Sequence, residues 1–506
     1  MVDADNAKVQ IVFDNVDITC ASSAAVYVKS AEKVFVTLAE GSQNTLRNTD
    51  EYVAIDDNNI DAVIFAKSDL TLNGTGSLTI ISAEGHGIVS KDDLKIIGGT
   101  YDITAAGHAL SEKDSVRIAD GTFILTAEKD GIHAENADDE EKGYIYIADG
   151  DFTITSDGDG MDASNIVQIE DGTLDITAGG GAANSLKTHE SDMPGGPGGG
   201  MPQNGEKLDG ESMPQMGEKP DGENMPQDTT TDESGTSTKG IKAGGGMYLN
   251  GGTYQIDSAD DSIHSNANIT IADGTYTLAT GDDGVHADDA LTVNGGTITV
   301  TESYEGLEGL TVTINDGTID ITARDDGVNA AGGTDQSGFG TFGDHFKGMD
   351  SADDETEETT DNEMWMELNG GYIHILTGGD GVDSNGDLTI NGGEIYIDGP
   401  SDNGNSAIDY GDRSSAYVNG GTLVAIGSSG MAEGMSDSSK QEVLMVKLGE
   451  QMEAGDVELT DNEGNVIVSY TALKSYDCVI ISTAEVESGA TYTLTTSGTT
   501  TEVTAE

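Results

Sequence analysis

The side chains best suited to chemistry in this sequence are carboxylates that recur at a fixed interval. Asp261, Asp283, Glu305 and Asp326 are spaced 22, 22 and 21 residues apart. His264, His286, Glu308 and Asn329 follow them and keep the same spacing. Each acid opens a short motif, as in Asp282-Asp283-Gly284-Val285 and Asp325-Asp326-Gly327-Val328. If residues one interval apart are stacked neighbours in a sheet, the carboxylates stand at ~4.8 Å intervals. Like charges at that distance repel by roughly 1 kcal/mol per pair in water, and by several if partly buried. Protonation or a bound cation must offset this. Calcium takes six to eight oxygen ligands in flexible geometry, and Asp, Glu and Asn side chains with Gly-rich carbonyls are what the patch offers. Magnesium asks for stricter geometry. Zinc would call for His or Cys clusters, whereas these two His stand among hard oxygens. The expected calcium ligands are Asp283, Glu305, Glu308 and Asp326, with Asp261 at the head of the column and Asp282, Asp288, Asp325 and Asn329 assisting. Weaker candidates are Asp130 (with His133 and Glu135), Asp157, Asp159, Asp162, Asp380, Asp383, and Asp402 with Asp409. A lone Asp-Gly is ordinarily just a turn, so these carry less weight.

The interval comes from a repeat. A Gly pair or Asp-Gly, usually followed by Thr and an alternating strand, places its last glycine at 99, 121, 150, 172, 252, 274, 296, 317, 371, 393 and 421. Six of the ten steps are 21 or 22; the others, 28, 29, 54 and 80, represent one repeat plus an insertion, or more than one repeat. Within one repeat, Gly284–Ala287, Leu291–Val293 and Thr297–Val300 alternate apolar and polar residues, the period of half-buried strands. Such short strands are stable only when repeats stack. The expected fold is all-β: a right-handed parallel β-helix of about 15 rungs, ~22 residues and three short strands each, roughly 70 Å long. An antiparallel sandwich or propeller is disfavoured by the fixed spacing and the lack of hairpin patterning. The calcium nonapeptide β-roll has the wrong period.

Along the chain, residues 1–68 are expected to form an N-terminal cap and first rungs, and 69–187 the β-helix. Residues 188–239, with a 12-residue duplication starting at Met201, Met213 and Met225, form a low-complexity insertion expected to be disordered. Residues 240–434 resume the β-helix with the acidic columns and a loop insertion at 334–363; 435–506 are a C-terminal β segment that caps the open last rung.

Composition agrees. Gly is 70, aromatics 5% and hydrophobic residues 35%, which suits a thin core spread along an axis. Asp+Glu is 93 against 22 Lys+Arg, a net charge of −71. That disfavours nucleic acid and anionic membranes as partners. No stretch approaches the ~18 apolar residues of a membrane span. The start, Met1-Val2-Asp3-Ala4-Asp5, lacks the basic and apolar regions of a signal peptide, although a chain whose signal had been removed would look the same. Cys20 and Cys478 lie near opposite ends, and no bridge between them is expected.

Several segments carry a family resemblance: Ala62-Val63-Ile64-Phe65-Ala66-Lys67-Ser68-Asp69-Leu70-Thr71-Leu72-Asn73-Gly74, Ser90-Lys91-Asp92-Asp93-Leu94 and Lys239-Gly240-Ile241-Lys242-Ala243. The paired acids at 260–330, and Asp409-Tyr410-Gly411 with Gly427-Ser428-Ser429-Gly430-Met431, add to it. The sequence resembles, over about residues 9–434, the clostridial cell-surface carbohydrate-binding β-helix proteins, whose fold is similar to that of parallel β-helix polysaccharide lyases. The resemblance implies several calcium ions and binding to plant-wall polysaccharides such as pectin, polygalacturonate or cellulose. It also implies no established catalysis and an extracellular, surface-attached location.

The leading expectation is therefore a non-catalytic, calcium-dependent polysaccharide-binding protein. Calcium with an open position could bridge an acidic protein to a uronate carboxylate. Aromatic platforms are few, with Tyr304 and Trp365 the candidates. A structural adhesin, in which calcium only rigidifies the rod, is the second expectation. The third is a calcium-dependent lyase, which needs a base to take the C5 proton; Lys242, Arg324 and Arg413 are the cations near the columns. A Lys on a strand face is more often simply solvated.

Overall fold

The computed structural model describes residues 1–50, 52–53, 58–185, 187, 237–331, 364–411 and 413–505. Most of the expected insertion at 188–239, and all of that at 334–363, lie outside them.

Short alternating segments become strands because each can bury one face only by pairing with its equivalents. In the repeat that begins at His86, His86–Ser90 and Asp93–Ile96 enter a 26-stranded sheet, and Thr100–Ala105 enters a 16-stranded sheet. Tyr101, Ile103 and Ala105 point inward and Thr100, Asp102 and Thr104 outward. Neighbouring repeats pair in parallel and in register: Ile88 with Leu110, and Leu110 with Ile132. The protein is all-β, with parallel strands in two long sheets and no α-helix among the described residues. This arrangement is compatible with a parallel β-helix.

The long intervals resolve as single steps. Met161 pairs directly with Ile241, and Val328 directly with Val382. Each gap is therefore one repeat plus an insertion. A second difference concerns strand number. Where three strands per repeat are expected, Val285–Val293 and Leu307–Ile314 each run through as one strand. Asp288-Asp289 supplies no glycine to break the first of them.

The interior is a stack of equivalent side chains. Ile154, Ile176 and Ile256 follow one another with at most 1% exposure. Tyr101, Phe123 and Phe152 stack at 5.2 and 4.6 Å between ring centroids, and Tyr254 on Tyr276 at 4.5 Å. Truncating such a residue costs about 2–5 kcal/mol. At the corner before the outward strand, Gly371 has φ +85°, and a Cβ there would lie 2.7 Å from the Gly317 carbonyl oxygen. The rung below forbids a side chain at that position.

Beyond the last parallel strand, Thr422–Gly427, the pairing reverses. Tyr476–Ser482 lies antiparallel to it, and Leu444–Met452 antiparallel to Tyr476–Ser482. Gly455–Thr460, Val466–Ala472, Thr491–Thr496 and Thr499–Thr504 form a separate antiparallel sheet. Such a segment covers an edge that would otherwise template further pairing. Cys20 and Cys478 are both free thiols.

Candidate functional site

Strict register turns sequence spacing into columns. One column runs His133, Asp162, Lys242, His264, His286, Glu308, Asn329, Asp383 and Asp409, each paired with the next. Beside it runs a second, two residues before the first inward side chain of each repeat: His86, His108, Asp130, Asp159, Lys239, Asp261, Asp283, Glu305, Asp326 and Asp380. The four-rung patch expected from the sequence is the middle of a longer structure. Lys239 and His108 were not among the expected members; their 22-residue offsets from Asp261 and Asp130 were the available signal.

The second column has a local structural task. The Asp130 carboxylate accepts the Asp159 N–H at 2.9 Å, and Asp159 accepts that of Lys239 at 2.7 Å. Asp261 accepts the Asp283 N–H at 3.1 Å, Asp283 that of Glu305 at 3.2 Å, and Asp326 that of Asp380 at 2.6 Å. His86 and His108 do the same through Nδ1, at 2.9 and 3.1 Å. Each side chain satisfies a backbone donor of the following rung. Burial, then His108, pushes His86 down to about 3, so it stays a neutral acceptor.

The two columns carry different charges along their length. In the first part, cations sit among the acids. Lys239 Nζ is 2.6 Å from Asp261 and 3.1 Å from Asp260, and Lys187 is 2.7 Å from Asp260 and also pairs with Asp282. His264 lies 2.8 Å from Asp261, and His286 lies 2.7 Å from Glu308, 3.1 Å from Asp283 and 3.3 Å from Asp288. His133 is 3.2 Å from both Asp130 and Asp162. Burial opposes charge on Asp261, yet Lys239, His264 and Lys187 hold its carboxyl well below the usual range. Burial opposes charge on His133 too, and Asp130 and Asp162 push it up to about 9. Compensation is incomplete at Asp282, which burial and then Asp283 and Asp261 push up to about 9.

From Glu305 onward the columns hold only acids and Asn329. Among the described residues, Glu305, Asp325, Asp326, Asp380 and Asp383 make no ion pair. Burial, with neighbouring carboxylates adding to it, raises Glu305 and Asp326 well above the normal range. The same causes push Asp380 up to about 8 and Asp383 to about 7. Oxygens of Asp326, Asp380 and Asp383 come within 4.8 Å of one another. Asn329 is buried; its Nδ2 donates to Glu305 at 2.9 Å, while its Oδ1 accepts no hydrogen bond. An all-oxygen set with an orphaned carbonyl oxygen fits a hard divalent cation such as calcium.

The geometry redistributes the expected ligands. Asp283, Asp288 and Glu308 are engaged by His286, and Asp261 and Asp282 by lysines. Asp380 and Asp383, weaker candidates on sequence, join Asp326. Asp157 is exposed and outside the columns, while Asp159 and Asp162 each lie 3.7 Å from Lys242. Burial opposes charge on Lys242, but these two carboxylates raise its affinity for a proton. That is the opposite of what a base in elimination requires. Arg324 donates to the Gly281 and Ser303 carbonyls at 2.9 and 3.4 Å, a backbone clamp. Tyr304, expected as a stacking platform, is 8% exposed and offers no open ring face. Trp365 is half-buried between Thr311 and Asp387.

Comparison with known proteins bears on this site. A family model described as carbohydrate-binding domain-containing protein matches residues 1–284 and 282–404. A carbohydrate-binding domain-containing protein of Acetivibrio thermocellus is 41% identical over 95 residues, 18% of this chain and 33% of the relative. The aligned part thus spans about a third of that relative's length. A solved structure described as a polysaccharide lyase-like protein from C. thermocellum, gadolinium derivative, shares 36% identity over 35% of this chain and 72% of its own, with a TM-score of 0.34. With the family model spanning most of the repeat region and the columns through Asp383, the chain belongs to the carbohydrate-binding domain-containing protein family.

Proposed function

We propose that this protein is a non-catalytic, calcium-dependent binder of plant-wall polysaccharide. It is built as a right-handed parallel β-helix of about 15 rungs, with residues 435–506 as its cap. The observation that carries the reading is the all-carboxylate cluster of Asp326, Asp380 and Asp383, with Asn329, whose side-chain oxygen is orphaned, as the register partner of Asp383. Asp326 and Asp383 are only partly buried, so a calcium ion held there would keep a face toward solvent. A uronate carboxylate of pectin or polygalacturonate would complete its shell, converting repulsion from a −71 protein into attraction. Export to the cell surface fits a polymer too large to enter a cell.

Affinity electrophoresis in polygalacturonate gels tests this. Calcium should retard the wild type, EDTA should abolish the retardation, and Asp326→Asn with Asp383→Asn should remove the calcium response. Retardation unchanged by EDTA would refute calcium dependence. A second reading has its own support: Asp380 is 8% exposed, as suits an enclosed ion that only rigidifies the rod. Calcium-dependent melting with no binding to any glycan would favour that adhesin role.

A further inference from the structure

The acidic columns are not the only surface that stacking repeats create. At the corner leading into the 16-stranded sheet, Gly317, Gly371, Gly393 and Gly421 follow one another with φ of +127°, +85°, +92° and +90°. Their neighbours Thr318, Tyr372, Glu394 and Thr422 are register partners in the same order. Between them is a shallow depression of about 590 Å³, with Asp316 on its rim. The volume is within the ~300–1,000 Å³ range of small-ligand sites. Its floor is bare backbone, so a ligand can approach closely without displacing side chains.

Two residues before each of these glycines the corner carries an ordered polar row. Asn315, Asn369, Asn391 and Asn419 form a ladder in which each Nδ2 donates to the preceding Oδ1 at 2.8–2.9 Å. An amide has two N–H donors and two acceptor lone pairs. Each ladder bond uses one donor and one lone pair, which leaves the others to solvent or to a hydroxylated chain that extends past the depression. The depression itself is lined by an aromatic ring. Among the described residues only two aromatic side chains are exposed, Tyr248 at 42% and Tyr372 at 41%, and of the two only Tyr372 lines the depression. Its ring lies 5.7 Å from that of Tyr396, which stacks on Tyr470 at 5.2 Å and 12°. Tyr470 in turn donates to Asp398. A ring braced in this way loses little freedom on binding.

The charge on the rim selects the ligand. Asp316 and Glu394 form no ion pair among the described residues, so the depression repels uronates but can accept hydrogen bonds from sugar hydroxyls. We infer that this glycine-floored furrow is a second, calcium-independent site that takes a linear, uncharged glycan, with Tyr372 as its stacking platform. This rests on the polysaccharide-binding reading but not on its calcium bridge.

The test is calorimetric titration of the full-length chain in EDTA with cellohexaose, xylohexaose and mannohexaose, alongside oligogalacturonate in calcium. At least one neutral hexasaccharide should bind in EDTA and bind equally well to the Asp326→Asn, Asp383→Asn variant. Tyr372→Ala should weaken that binding about ten-fold, while Tyr372→Phe retains it. Circular dichroism of Tyr372→Ala should match the wild type, since the ring is on the surface. No neutral binding in EDTA, or full binding by Tyr372→Ala, would overturn the inference. Failure of the calcium bridge would appear separately, as oligogalacturonate binding that survives EDTA.

Discussion

The two halves of the acidic columns share a backbone but solve the same electrostatic problem differently. Around Asp261 the problem is largely solved within the chain, by Lys239, Lys187, His264 and His286, with Asp282 the exception. Around Asp326 it is left open, and the carboxyls there retain protons that they would ordinarily lose. Acid content alone therefore does not mark a metal site. What distinguishes the second region is that Asp326, Asp380 and Asp383, whose oxygens converge, make no ion pair among the described residues.

The largest effect should come from breaking compensation. Lys239→Met leaves Asp261 buried without its main partner, and losing one member of such a pair costs about 3–5 kcal/mol. Chemical denaturation should show that loss. Asp261→Asn in the same chain should restore much of it, because the amide oxygen can still accept the Asp283 N–H. If the single substitution is neutral, the cationic half is not held by these pairs.

Next in size is calcium itself. Ligand at a hundred times its dissociation constant stabilises the native state by about 2.7 kcal/mol. The wild type should melt higher in calcium, and Asp380→Asn should lose most of that gain. Lys239→Met offers a sharper comparison. If cation and calcium are interchangeable solutions, that variant should become more responsive to calcium than the wild type.

Acidity should separate the regions as well. Burial, and then neighbouring carboxylates, push folded Asp380 up to about 8 and Asp383 to about 7, above the ordinary 3.8. Between those limits the folded state holds more protons than the unfolded one, so stability falls as pH rises. Calcium-free protein should thus be most stable near pH 4 in this region and lose stability up to about pH 8. The shift in melting temperature should be on the order of 5 °C, and saturating calcium should flatten it. Hydrogen exchange at Asp326–Val328 and Asp380–Val382 should follow that trend more closely than exchange at Asp261–Ile263. Equal pH dependence in both segments would erase the distinction.

Much of the fold was legible because its period is covalent. A 22-residue spacing fixes which residues become register partners, so the stack at 261, 283, 305 and 326 could be found without coordinates. The gaps of 54 and 80 residues were ambiguous, since sequence cannot say whether an insertion hides a further rung; direct pairing of Val328 with Val382 and Met161 with Ile241 resolves that. The charge balance was less legible for a different reason. Lys187 reaches Asp260 and Asp282 from far along the chain, which no spacing rule encodes. Tyr372 was likewise not legible, because its bracing depends on Tyr396 and Tyr470, the latter supplied by the C-terminal segment.

The smallest predicted effect concerns the asparagine ladder beside the half of the columns that begins at Glu305. Asn391 donates to Asn369 and accepts from Asn419, both exposed contacts at 2.8 Å. Solvent competes for each bond, so Asn391→Ala should cost no more than about 1 kcal/mol. Calcium affinity should not change, because the ladder is on another face of the rung. Asn329→Ala, which removes the orphaned oxygen and the donor to Glu305, should lower calcium affinity and also cost more stability without metal, about 1–3 kcal/mol, because the bond it removes is buried. Calcium affinity, rather than stability, is then the readout that separates the two asparagines. Matching calcium affinities for the two variants would mean that the Asn329 oxygen is merely unsatisfied, and the case for an ion beside Asp326 would fall back on the carboxylates.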